Sequence, residues 1–122
     1  MAKIASLCGD NLHIYSGNDD QIVPLLSMGG KGVISVLAHV APRETHDICQ
    51  LFFDGKIEQS RQLQLELLEL INALFSDVNP IPVKAALHFM DFCELEYRLP
   101  LCPPSNKTQY RLYEALREYQ LV

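Results

Sequence analysis

An excess of positive charge is missing from this sequence: ten Lys and Arg face fifteen Asp and Glu, for a net charge of −5 and a pI near 5.2. With no basic cluster to offset that balance, the chain offers no electrostatic footprint for a phosphate backbone, and nucleic acid is not an expected partner. Long apolar runs are missing too. The longest, Val33 to Ala38, falls far short of the ~20 residues that cross a bilayer. Lys3 is followed only by the short stretch Ile4 to Cys8, less than the apolar core of a signal peptide. No membrane association and no export are expected, which leaves the cytoplasm. Cys8, Cys49, Cys93 and Cys102 form no C-x-x-C pair and hold no metal-ligand spacing with His13, His39, His46 or His88. They read as reduced, buried or partly buried structural thiols, and neither a metal nor a cofactor is expected. Repeats and low-complexity tracts are lacking as well. What is present is an ordinary globular composition, 48% hydrophobic and 20% charged, at a length that suits one core.

The first half alternates strand-like and helix-like segments. Residues 12–16 and 32–37 are apolar, partly β-branched runs bounded by glycine, the pattern of buried strands. Between them, Ile22 to Met28 predicts a helix, with Asp19 or Asp20 as its N-cap and Gly29-Gly30 as its stop. Strands without clean alternation, joined by a helix, indicate a parallel sheet covered on both faces, so the fold class is α/β. Pro42 stands at a first helical position, and Ile48, Leu51 and Phe52 recur at helical spacing up to Gly55.

From Ile57 onward the strand pattern stops. Leu63, Leu67, Leu70, Ile71 and Leu74 form one helical stripe reaching Phe75, and Asn79-Pro80 offers a cap and a proline for a helix running toward Met90. Beyond the link made by Pro100, Pro103 and Pro104, a last helix begins between Ser105 and Thr108, with Leu112, Ala115, Leu116 and Tyr119 on its apolar face. The chain therefore reads as an α/β part over residues 1–55 and a helical part over residues 56–122. Two parallel strands cannot close a barrel or cover their own edges. Further strands are expected from another chain, or from a larger enzyme of which this is a piece.

Four ordered blocks carry a family resemblance: Tyr15-Ser16-Gly17-Asn18-Asp19-Asp20, then Gly29-Gly30-Lys31-Gly32-Val33-Ile34-Ser35-Val36, then Asn79-Pro80-Ile81-Pro82-Val83-Lys84, and finally Arg98-Leu99-Pro100-Leu101. In content, order and spacing they resemble the closing part of the dihydrodipicolinate synthase family of class I pyruvate aldolases, over essentially the whole chain. The resemblance implies the last two βα units of a TIM (β/α)8 barrel, an incomplete barrel here, followed by a three-helix C-terminal extension. It implies a lyase of lysine biosynthesis that condenses pyruvate with aspartate semialdehyde through a lysine Schiff base.

In such barrels the site lies at the C-terminal ends of the strands. The resemblance makes Gly17 and Ile34 the substrate-binding candidates, where the residue pattern alone reads a turn glycine and a core residue. No catalytic residue is expected in the chain. A reactive lysine must sit at a strand's C-terminal end, whereas Lys31 precedes the last strand and Lys3 and Lys84 fall on helices. By resemblance the Schiff-base lysine falls just upstream of Met1, so the chain alone should be inactive. Its partners would be a pyruvate-type substrate in the complete enzyme, and either copies of itself in a homo-oligomer or a missing N-terminal half. Tyr15 is no substitute nucleophile, Asn106-Lys107-Thr108 reads as a helix cap rather than a glycosylation site, and Asp19-Asp20 as a cap rather than a metal pair. Two rival readings stay open. One is a related aldolase such as N-acetylneuraminate lyase; the other is a non-catalytic helical module that self-associates through its leucine stripe.

Overall fold

Close packing at two glycines sets up a short sheet. In the computed structural model, which describes residues 1–122, a Cβ on Gly30 would meet Leu25 Cγ at 2.7 Å and Leu25 O at 2.8 Å. Gly32 has φ +150°, and a Cβ there would press on the Tyr15 ring at 3.4 Å. Glycine alone lets the chain turn back so close to its own helix and enter the sheet beside Tyr15. The result is β1 (Tyr15–Ser16) paired in parallel with β2 (Gly32–Val33), Tyr15 opposite Gly32 and Ser16 opposite Val33. Lys31 N donates to Ile14 O and Ile34 N donates to Ser16 O, each at 2.8 Å.

Both strands are shorter than the sequence pattern over 12–16 and 32–37 suggests. Beyond Ile34 the chain leaves the ladder, because the amides of Val36 and Leu37 turn to the Asp19 carboxylate and Leu37–His39 winds into a 3-10 turn. Apart from this pair of strands the chain is mostly helical. It begins with α1 (Ala2–Cys8), which buries no residue.

The crossover helix α2 (Ile22–Ser27) buries Ile22, Leu25 and Leu26. It stops at Gly29, where φ is +88°, and Gly30 N donates back to Leu25 O at 3.0 Å, the left-handed glycine ending that the sequence predicts. Its start departs from expectation. Asp19 and Asp20 lie in a 3-10 turn, Asp19–Gln21, and no side chain of the flanking residue caps the helix. An amide from 41 residues away does so instead: Gln64 Oε1 accepts from Val23 N at 2.7 Å, and its Nε2 donates to Asp20 O at 2.6 Å. A carboxylate could satisfy the amide but not the carbonyl, whereas the Gln side chain satisfies both.

Helix α3 (Pro42–Phe53) opens on proline as expected, with Thr45 Oγ1 donating to Ala41 O at 2.8 Å and Ile48 fully buried. Gly55, at φ +77°, ends the turn, and α4 (Ile57–Glu66) returns along α3, where Ser60 Oγ donates to Ile48 O at 2.6 Å. The packing divides the chain into two compact units, Met1–Glu66 and Leu67–Val122. Helix α4 falls in the first of these because it lies against α2 and α3.

The leucine stripe that reads as one helix is two. The helix breaks at Leu67, with φ −87° and ψ 0°, and resumes as α5 (Leu68–Leu74). In the second unit α5, α6 (Ile81–Phe89) and α7 (Asn106–Glu118) pack on one another around Leu70, Leu74, Ala85, Ala86, Leu112 and Leu116. Pro80, not Asn79, occupies the N-cap of α6, and no side chain caps it. Ser105 does cap α7, its Oγ accepting from Thr108 N at 3.2 Å. The link between α6 and α7 is anchored by Tyr97, whose hydroxyl donates to Ile81 O at 2.8 Å and whose ring lies 5.4 Å from Lys84 Nζ. None of the helices is long and apolar enough to cross a membrane.

Candidate active site

Two turns leave the same end of the parallel pair, and short side-chain hydrogen bonds shape both. After β1, Ser16 Oγ donates to Asn18 O at 2.7 Å and accepts from Asn18 N at 3.2 Å, folding Gly17 and Asn18 outward, where both are exposed. After β2, Ser35 Oγ accepts from Ala38 N at 2.8 Å, which turns the chain just past Ile34. Because Ser16 pairs with Val33, Gly17 and Ile34 are the next residues past the paired strand ends, where Ile34 N donates to Ser16 O, the carbonyl just before Gly17. The two expected site residues are thus brought together at the C-terminal end of the sheet. Ile34, a core residue by pattern alone, has 73% of its surface exposed. Beside Gly17 a Cβ would meet nothing within 4 Å, so the room for a ligand there is open.

One residue that sequence reasoning placed elsewhere joins these turns. Asp19 is 1% exposed, and its Oδ2 accepts from Val36 N at 2.9 Å and Leu37 N at 3.0 Å. This corrects its expected role as cap of α2. Its neighbour Asp20 is exposed and contributes only a backbone carbonyl, to Gln64. No local signal points from Asp19 to amides 17 and 18 residues away.

No lysine stands on β1 or β2 or in the turns that follow them. Lys31 stands immediately before β2, at the entry end, its amide bound to Ile14 O; Lys3, Lys84 and Lys107 lie on α1, α6 and α7, and Lys56 between α3 and α4. Tyr15 is half-exposed on β1 and makes no ion pair. A cavity of about 430 Å3 opens beside the sheet, lined by Tyr15, Val33, Thr45, Cys49 and Phe53 among others, but it contains neither Gly17 nor Ile34. Burial pushes the Cys49 thiol upward, which keeps it protonated and a poor nucleophile. All four cysteines are free; Cys8 and Cys49 are partly buried as expected, whereas Cys93 and Cys102 are exposed. No group of three or more His, Cys, Asp or Glu side chains is placed to hold a metal ion.

Parallel strands joined by a helix, with exposed turns at their C-terminal ends, define a βαβ segment of the parallel α/β class, in which ligand sites lie at those ends. The model of the Dihydrodipicolinate synthetase family matches residues 1–119. The chain belongs to that family and corresponds to the C-terminal portion of its members. It is 52% identical over 122 residues to the 4-hydroxy-tetrahydrodipicolinate synthase of Clostridium perfringens, covering 100% of this chain and 42% of that protein. To the enzyme of the same name from Caldicellulosiruptor bescii it is 56% identical over 119 residues, covering 98% and 40%. Among solved structures, the dihydrodipicolinate synthase of Thermotoga maritima superposes with a TM-score of 0.93 at 44% identity, covering 98% of this chain and 41% of that one. The Aquifex aeolicus enzyme gives a TM-score of 0.95 at 36% identity, covering 98% and 41%. The chain thus spans about two fifths of the length of the relatives it matches.

Proposed function

We propose that this chain is the C-terminal part of a 4-hydroxy-tetrahydrodipicolinate synthase, a cytoplasmic, self-associating lyase of lysine biosynthesis. The complete enzyme condenses pyruvate with aspartate semialdehyde through a lysine Schiff base. In this reading β1 and β2 are the seventh and eighth strands of a (β/α)8 barrel and the helices from α4 onward belong to its C-terminal extension. Gly17 and Ile34 form one wall of the keto-acid pocket: the glycine gives backbone access, and the exposed isoleucine covers the apolar side of a small substrate.

The observation that carries the reading is the adjacency of Gly17 and Ile34 at the C-terminal end of paired parallel strands, in a chain 52% identical to a synthase of that name. The reactive amine is assigned to polypeptide outside these residues, because none of the five lysines stands on a strand or beyond its C-terminal end. The 122 residues alone are therefore inactive.

Two measurements test this. Incubation of the chain with pyruvate and borohydride is expected to leave its mass unchanged, and a stable adduct on any lysine would overturn the assignment. Residues 1–122 joined to the portion of the Clostridium perfringens relative that they do not cover should condense pyruvate with aspartate semialdehyde. A folded fusion without turnover would remove the functional reading altogether.

A further inference from the structure

We propose that Asp19 is a positioning residue of the keto-acid pocket, its buried carboxylate locking the turn that carries Gly17 to the turn that carries Ile34. The inference rests on the functional reading of those two residues and adds the element that sets their separation.

Asp19 lies two residues beyond Gly17, and the amides it binds, Val36 and Leu37, lie two and three residues beyond Ile34. A single oxygen, Oδ2, takes both amides and so anchors the 3-10 turn Leu37–His39 against the end of β1. Leu37 behind it is fully buried, which leaves that turn little freedom to drift. No other side-chain hydrogen bond spans the two turns: Ser16 closes only the first and Ser35 only the second.

The second oxygen, Oδ1, is buried and has no hydrogen-bond partner. Stability alone would not select a carboxylate with one desolvated, unpaired oxygen, since buried acceptors are costly when unmet. What the carboxylate supplies is one oxygen placed to take two amides at once, at 2.9 and 3.0 Å, from a residue in the other turn. A neutral amide at this position would keep one acceptor and hold the turns more loosely. Removing the side chain would free Ile34 from Gly17 at its far end, leaving the single ladder bond from Ile34 N to Ser16 O.

The test uses the fusion described above and pyruvate as the probe. Asp19→Ala is expected to raise the KM for pyruvate about tenfold or more, the size that losing two amide hydrogen bonds would give, while kcat changes less. Asp19→Asn should recover most of that loss. A purely structural role would instead lower the active fraction, and with it kcat, at unchanged KM. An unchanged KM for pyruvate in folded Asp19→Ala overturns the proposal. Should the alanine variant not fold, amide exchange in the 122-residue chain decides. Asp19→Asn should speed exchange at Val36 and Leu37 and shift the Gly17 and Ile34 resonances, and identical exchange and resonances would sink the clamp. If the unsubstituted fusion does not condense pyruvate, the functional reading falls by itself, and the exchange measurement still judges Asp19.

Discussion

In residues Met1–Glu66 the buried side chains include Ser16, Asp19, Thr45, Ser60 and Gln64, whereas in Leu67–Val122 every buried side chain is apolar. All five buried polar groups reach backbone atoms: Ser16 closes its own turn, Asp19 holds the turn after β2, Thr45 backs onto Ala41, Ser60 ties α4 to α3, and Gln64 caps α2. The reason is chain geometry. The first unit changes direction at short intervals, so many amides and carbonyls fall outside regular ladders and need side chains to satisfy them. In the second unit the side chains that bind backbone, among them Ser76, Tyr97, Ser105 and Gln109, stand at helix ends and in the link, and none is fully buried, which leaves its interior to apolar side chains. The interior of the unit that carries the candidate site is thus organised by directional bonds, and the interior of the other by volume filling.

The largest test of that contrast is Leu112→Ala, at a fully buried position on α7. It is expected to cost about 2–5 kcal/mol, read as a lower urea midpoint; an unmoved midpoint would mean that apolar packing is not what holds α5, α6 and α7. Next in size is Gln64→Ala, which strands the amide of Val23 and the carbonyl of Asp20 and should cost about 1–3 kcal/mol by the same measurement. Gln64→Glu, which keeps the acceptor and loses the donor, should fall between wild type and alanine. If a glutamate there proved harmless, the bond to Asp20 O would have no structural weight. The smallest effect leaves stability untouched. Because burial raises the Cys49 pKa, it holds less thiolate at any given pH than an unburied thiol. Iodoacetamide followed by mass spectrometry should therefore modify the exposed Cys93 and Cys102 well before Cys49, and the reverse order would contradict the packing of the first unit around that thiol.

Much of this architecture is legible in the residues. The glycine stop of α2, the proline opening of α3 and the buried face of α7 made by Leu112, Ala115 and Leu116 each depend on groups within a few positions of one another, and all three form as the pattern predicts. The adjacency of Gly17 and Ile34 is legible as well, through the family blocks that contain them. What stays hidden is long-range or continuous through a break. Asp19 looks like a helix cap because it precedes an apolar run, yet its partners come from beyond the next strand. Gln64 looks like a surface residue of an amphipathic helix, with nothing in its neighbours to announce α2. The break at Leu67 is masked because the leucine spacing runs through it undisturbed, and the early end of β2 is masked because Ile34, Val36 and Leu37 remain as apolar as a strand.

The bond between Gln64 and the start of α2 also settles where this polypeptide can be shortened. A cut after Gly55, where the strand pattern ends, would strip α2 of the side chain that completes its first turn and α3 of its serine tether from Ser60. A cut after Glu66 keeps both and coincides with the irregular backbone at Leu67. Engineers who wish to transplant the strand pair into another scaffold should therefore carry α4 along as part of the graft.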